Sequence, residues 1–254
     1  MLFLLLRLLP AIIPILFFAS AKGVFYFIDQ WQWFLAAIII LPIAYFALLK
    51  YKNRDKSVLW LGIFALIYAL TGFAYSLVLE NSLVINIYLI GWSLIYWLYL
   101  EAVFHDFYET AKTFIFNLLN ITLYGNILIV FFLTATLVSF NIFLNLPWYA
   151  LLSLSAAVEF SIIYLAFHRH GLPQKKALLY AGLVDLILLE ILGGLMLLPS
   201  SFYVIAIITA LCYYLLMQIL LYAYDNKLNR RLLIELLAFC GLIMLVVVAT
   251  AAWL

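Results

Sequence analysis

The sequence predicts an all-α, polytopic integral membrane protein of about nine transmembrane helices joined by short loops. Its 254 residues are 70% hydrophobic and only 9% charged, whereas a typical soluble domain is roughly 25% charged and about half apolar. The apolar residues fall into runs close to the roughly 20 residues that a helix needs to cross a bilayer. We expect helices rather than barrel strands, because the runs lack the alternation of a barrel strand and a helix satisfies its own backbone hydrogen bonds in lipid.

The runs define nine predicted spans. They are Leu2–Ala19, Trp31–Lys50, Val58–Leu79, Leu83–Phe104, Asn117–Phe140, Pro147–His168, Ala177–Leu198, Phe202–Tyr224 and Leu232–Trp253. The loops after the third, fifth and seventh spans are very short, and such loops force neighbouring helices into hairpins. We therefore expect a single transmembrane domain over residues 1–254. In it an N-terminal helix (2–19) precedes hairpins at approximately 31–80, 83–140, 147–198 and 202–253.

The first span permits two interpretations. Arg7, an apolar run and then Ala19-Ser20-Ala21 before Lys22 are typical of a cleavable signal peptide. The residues before Arg7 are apolar rather than basic, however, and this favours a retained helix. Cleavage would leave eight spans without changing the orientation of the others.

The basic residues predict the orientation of the chain. Of its 13 Lys and Arg residues, the first span contains Arg7 and the odd-numbered loops hold only Lys22. The others lie in the even-numbered loops: Lys50, Lys52, Arg54, Lys56, Lys112, Arg169, Lys175, Lys176, Lys227, Arg230 and Arg231. Because basic loops stay in the cytoplasm, we expect a cytoplasmic N-terminus and an external C-terminus in a plasma or inner membrane.

Acidic residues inside the spans mark the place where a function is expected. A charged side chain at the centre of a bilayer costs roughly 2.5–3.5 kcal/mol even on the insertion scale. Glu159 and Asp185 lie at similar depths in two adjacent antiparallel spans, and Glu190 and Asn126 are further polar residues of the spans. No Lys or Arg shares that depth, so the sequence predicts a polar or ion-binding site formed by these four residues.

Two functions fit this pattern. In the first, the protein is a proton- or cation-linked transporter or channel for a small solute, and Glu159 and Asp185 share a proton or hold a cation. In the second, the acids are protonated and hydrogen-bonded between helices, and the protein is a non-catalytic structural or scaffolding subunit of a membrane complex. We favour the first function because buried acids in membrane proteins usually belong to ion or substrate pathways.

A second set of residues suggests a divalent-metal site at the cytoplasmic interface. Glu101, His105 and Glu109 recur every fourth residue, so one helical face would carry all three. His168 and His170 end the sixth span on the same predicted side. Imidazole and carboxylate groups are common metal ligands, and such a site would suit a membrane enzyme. Ordinary interfacial polarity explains the same residues equally simply.

Other classes of function are excluded or unsupported. The longest polar stretch is too short to fold alone, and no basic run with interleaved aromatic residues supports nucleic-acid binding. No catalytic motif is present, so we do not expect an enzyme, and no cofactor is predicted beyond the metal considered above. The expected partners are the lipid bilayer and, beyond it, other membrane proteins or a second copy of the chain.

Overall fold

The computed structural model describes residues 2–52, 57–108 and 118–251, and it confirms the all-α class. Within those ranges, nine helices are long and apolar enough to cross a membrane. They are α1 (Leu2–Tyr26), α2 (Trp31–Lys52), α3 (Ser57–Ser76), α4 (Ser82–Tyr108), α5 (Leu118–Leu144), α6 (Trp148–Arg169), α7 (Gln174–Leu195), α8 (Phe202–Tyr224) and α9 (Arg230–Thr250). The protein is thus a polytopic membrane protein, while the orientation of its termini stays a prediction.

Several helices run beyond their predicted ends. The first extends to Tyr26 and not to Ala19, the fourth extends to Tyr108 and not to Phe104, and the fifth extends to Leu144 and not to Phe140. Lys22 does not interrupt α1, because its ammonium group donates a hydrogen bond to Asn86 of α4 and lies 5.1 Å from the centre of the Tyr26 ring. The ammonium group of Lys22 therefore has partners, and a charged residue is tolerated at this position inside α1.

The helices form two compact units, Met1–Gly125 and Asn126–Leu254, and the boundary between them lies inside α5. The expectation of one transmembrane domain stays a prediction, and each unit is described separately below.

Aromatic side chains build the core of the first unit, in which α1 packs against α2 and α4, and α3 packs against α2 and α4. Tyr68, Trp92 and Tyr99 are almost completely buried. Backbone carbonyls accept hydrogen bonds from two of them: Trp92 Nε1 donates to the carbonyl of Tyr68 at 3.0 Å, and Tyr99 Oη donates to that of Leu61 at 2.9 Å. The Trp92 and Tyr99 rings thereby supply apolar contact area while their polar atoms stay satisfied.

The second unit is built on the hairpin of α6 and α7, which pack closely against each other. The chain turns between them at Gly171, whose φ of +93° is a conformation that glycine adopts readily, and Pro173 precedes the first residue of α7. Helix α8 packs against α7, and α9 packs against α8. Of the described residues of α9, only Cys240 is buried, so most of this apolar helix faces outward.

Because Trp92 packs closely on Gly72, we expect one added methyl group at position 72 to have a large effect on the stability of the protein. An added Cβ at Gly72 would collide with the Trp92 indole, whereas a Cβ at Gly91 of α4 would meet nothing within 4 Å. Gly72→Ala should therefore lower the free energy of unfolding by about 1–3 kcal/mol. Thermal unfolding in detergent, followed by tryptophan fluorescence, measures this effect.

Gly91→Ala is the matched control and should leave the unfolding temperature unchanged or raise it, because alanine is favoured over glycine in a helix. Equal shifts for the two variants would contradict the described packing.

Candidate functional site

Glu159 and Asp185 lie at the middle of neighbouring helices. Glu159 precedes Arg169, the last residue of α6, by ten residues. Asp185 follows Gln174, the first residue of α7, by eleven. At about 1.5 Å per residue, each carboxyl group is about 15 Å from the end of its helix at the connecting turn. The hairpin therefore places the two acids at matching depth, as the sequence predicted.

Glu159 is completely buried, with 0% of its surface exposed. Its Oε1 atom accepts a hydrogen bond of 2.8 Å from the Ser155 hydroxyl, one turn earlier in α6. Its Oε2 atom has no hydrogen-bond partner among the described residues. None of the ion pairs in the described part of the chain includes Glu159. Within the residues that the structure describes, this carboxyl group is thus half satisfied and has no built-in counter-charge.

Asp185 is also buried, and its Oδ1 atom likewise has no hydrogen-bond partner among the residues that the structure describes. Its carboxyl group is close enough to interact electrostatically with that of Glu159. In a medium of low dielectric constant, a negative charge on one of these acids makes a second negative charge on the other less favourable. The pair is therefore more stable with at most one negative charge, or with a cation bound.

Asn126 of α5 and Tyr213 of α8 complete the polar surroundings of Glu159. Asn126 is fully buried, and its Nδ2 atom donates to the backbone carbonyl of Ile162 at 3.3 Å. The Tyr213 hydroxyl adjoins the Asn126 amide and interacts electrostatically with Glu159. Neither Asn126 Oδ1 nor Tyr213 Oη has a hydrogen bond of normal geometry within the described residues.

We refer to these five residues as the carboxyl cluster: Asn126, Ser155, Glu159, Asp185 and Tyr213. Sequence reasoning identified Asn126, Glu159 and Asp185 as members of a site, but it missed Tyr213. A tyrosine in an apolar span resembles the many core and interfacial tyrosines of this chain. Its one distinguishing signal is position, since Tyr213 lies eleven residues from each end of α8.

Glu190 is not brought into the carboxyl cluster. It lies five residues beyond Asp185 on an exposed face of α7. Five residues correspond to about 140° of rotation around a helix with 3.6 residues per turn, so one face cannot carry both acids.

The predicted metal ligands in the first unit make other contacts. Glu101 of α4 is buried and forms an ion pair with Arg7 of α1. The Nε2 atom of His105 lies 3.3 Å from Glu101 Oε1. Glu109 lies outside the described residues. Glu101 thus has a permanent counter-charge, whereas no described residue provides one for Glu159.

The predicted ligands in the second unit are also engaged. The His168 ring stacks on that of Tyr164, with ring centres 5.8 Å apart. His170 Nε2 lies 2.9 Å from Asp225 Oδ1. Among the described residues, no three His, Cys, Asp or Glu side chains come together as a metal site. The five-residue metal set, including Glu109, stays a prediction.

Contacts between the α6–α7 turn and the α8–α9 turn fasten one end of the second unit. Besides the contact of His170 with Asp225, Lys227 Nζ donates to Asp225 Oδ2 at 3.0 Å. Tyr224 Oη also donates to the carbonyl of Gly171, at 3.3 Å. Hydrogen bonds from His170 and Lys227 hold the pKa of Asp225 below its usual value. The ionised form of Asp225 is therefore the form that stabilises these turns.

Comparison of the chain with protein-family models, with curated proteins and with solved structures finds no match in any of the three. Any functional conclusion for this protein therefore depends on the chemistry of its own residues.

The contacts of Asp225 predict a loss of stability in acid. Because its pKa is lower in the folded protein than in the unfolded chain, its contribution is present above about pH 3.9 and is lost as the pH falls through the folded-state pKa. Asp225→Asn should therefore reduce the fall in unfolding temperature between about pH 5 and about pH 3. Scanning fluorimetry in detergent measures that fall.

Asp29→Asn, at an exposed acid of the first unit, should keep the wild-type acid dependence. The account of the turns is wrong if Asp225→Asn and wild type lose the same stability over this range.

Proposed function

We propose that the protein is a proton- or cation-linked transporter or channel for a small solute, and that Glu159 and Asp185 form its ion-binding site. One observation carries the proposal: Glu159 is completely buried at mid-helix, with one oxygen atom unpartnered and no cationic side chain paired with it in the described chain. The proposal retains the predicted topology, with a cytoplasmic N-terminus and an external C-terminus.

The free energy of an unpaired buried carboxylate supports this proposal. Burying an ionised carboxylate without a partner costs several kcal/mol after relaxation of the protein, and a single hydroxyl such as that of Ser155 offsets only about 1.5–3 kcal/mol of this. A proton or a bound cation removes the remaining cost. Because Asp185 acts electrostatically on Glu159, one positive charge can serve both acids.

The first unit provides an internal comparison. Glu101 is also a buried acid, and there the chain supplies Arg7 as a fixed counter-charge. A fixed pair of this kind stabilises structure and needs no ligand. The carboxyl cluster of the second unit has no such fixed cation among its members. A mobile proton or cation as the counter-charge therefore explains the cluster better than a purely structural role of its acids.

The chemistry of the cluster limits what it binds. Its polar atoms are carboxylate, amide and hydroxyl oxygens together with the Asn126 amide nitrogen, and its members include no sulfur ligand and no imidazole. Oxygen ligands favour protons and hard cations over transition metals. Unpartnered oxygens on Glu159, Asp185, Asn126 and Tyr213 provide the coordination sites.

One observation favours the alternative, a structural subunit of a membrane complex. Helix α9 exposes large apolar side chains over most of its length, including Leu237, Leu242 and Leu245. Helices of partner proteins pack on such a face, although lipid covers it equally well. The ion-binding proposal is preferred because it also explains the unpartnered carboxyl oxygens.

The proposal is tested by proton flux through purified protein in liposomes that contain a pH-sensitive dye. After a pH step, wild-type protein should raise the flux above that of protein-free liposomes. Glu159→Gln and Asp185→Asn should each abolish the increase, because an amide cannot exchange a proton in this range. Replacing the external salt with sodium, potassium or choline chloride tests whether a cation takes the place of the proton.

Glu190→Gln is the matched control, because it removes an exposed acid from the same helix as Asp185. It should leave the flux at the wild-type level. Unfolding temperatures of all variants establish that the protein is folded. Folded wild-type protein that conducts neither protons nor these cations, or folded Glu159→Gln and Asp185→Asn variants with wild-type flux, would contradict the proposal and favour the structural subunit.

A further inference from the structure

A groove in the first unit has the shape and lining of a lipid-binding site. It has a volume of about 370 Å³ and runs between α2 and α3. Its walls are formed by Ile43, Phe46 and Ala47 from α2 and by Leu59, Ile63 and Leu66 from α3. We refer to it as the α2–α3 groove. It lies in the other unit from the carboxyl cluster and does not depend on the proposed ion site.

Gly62 keeps the α2–α3 groove open. A Cβ added at this position would lie 3.1 Å from the Cβ atom of Phe46. A larger side chain at position 62 would therefore project into the space between the two helices. The flanking Ile43 and Leu59 are each 50% exposed, so the groove opens to the surroundings of the helices.

Lys50 forms one end of the groove. It lies four residues after Phe46, on the same face of α2, and belongs to the groove lining. Its side chain is exposed, and no carboxylate among the described residues pairs with it. Within the described part of the chain, the groove thus combines an apolar wall with an unpaired positive charge in the last turn of α2.

A second apolar groove of the first unit provides a comparison for the positive charge of Lys50. That groove, of about 350 Å³, lies between α1 and α4 and includes Ala11, Pro14 and Trp97. One turn before Ala11, on the same face of α1, lies Arg7. Arg7 is already paired with Glu101, so this groove presents no net positive charge at the position where a headgroup would bind. Charge complementarity to an anion therefore distinguishes the α2–α3 groove.

We propose that the α2–α3 groove binds an anionic phospholipid, with an acyl chain between the two helices and the phosphate group on Lys50. The apolar walls require a hydrocarbon chain, and free phosphate would leave them unfilled. An ammonium group at the end of a membrane-spanning helix lies at the level of the lipid headgroups, where lysine attracts anionic lipid. The occupant is therefore a lipid of the bilayer that surrounds the protein.

Native mass spectrometry of the full-length protein in detergent tests this site. The protein is incubated with phosphatidylglycerol or phosphatidylcholine of identical acyl chains, and the retained lipid is counted. Wild type should retain more phosphatidylglycerol than phosphatidylcholine. Lys50→Glu should lower phosphatidylglycerol retention at least about fivefold, which corresponds to about 1 kcal/mol.

Lys176→Glu, at an exposed lysine of α7 in the other unit, is the matched control and should retain phosphatidylglycerol as wild type does. Gly62→Leu should reduce the retention of both lipids by filling the groove. If Gly62→Leu does not fold, the two lysine variants, which change exposed side chains, still decide the question.

Two results would overturn the proposal. The first is an equal loss of phosphatidylglycerol in Lys50→Glu and Lys176→Glu, which would mean that surface charge in general attracts the lipid. The second is equal retention of both lipids by wild type, which would mean that the headgroup is not recognised.

Discussion

The buried carboxyl group of Glu159, which accepts one hydrogen bond from Ser155 and has no ion-pair partner in the described chain, is the constraint on which the functional account depends. In an apolar environment that carboxyl group is stable only when something neutralises it. The packing of α6 and α7 brings Asp185 to matching depth, so the constraint applies to a pair of acids. A hydrocarbon side chain at position 159 would pack into the same space without this cost. The ion-binding site that we propose accounts for an acid at this position.

The two units solve the problem of a buried acid in different ways. In the first, Arg7 and His105 surround Glu101 and supply positive charge or hydrogen-bond donors from the chain itself. In the second, the neighbours of Glu159 are neutral or acidic. The first arrangement fixes a charge pair within a helical bundle, whereas the described neighbours of Glu159 supply no positive charge. The two glutamates thus differ in their surroundings, and this difference is the reason for proposing ion binding at Glu159 and not at Glu101.

The sequence was sufficient for the helical class, the helix count and the depth of Glu159 and Asp185, because these follow from apolar run lengths and from the rise of a helix. It did not identify Tyr213, because residue spacing along the chain does not reveal that α5, α6 and α8 bring their side chains together. It included Glu190 in the site as a further polar residue of the spans, although the exposure of Glu190 depends on which face of α7 meets α6. It could not show that Arg7 reaches Glu101, since 94 residues separate the two in the chain.

The central claim is that Glu159 carries a mobile proton or cation whereas Glu101 carries a fixed counter-charge. Infrared spectroscopy of the protein in liposomes, in a buffer whose only cations are protons and choline, tests it most directly. The account predicts a carbonyl stretch of a protonated carboxylic acid that disappears in Glu159→Gln and persists in Glu101→Gln. A band that persists in Glu159→Gln and disappears in Glu101→Gln would contradict it.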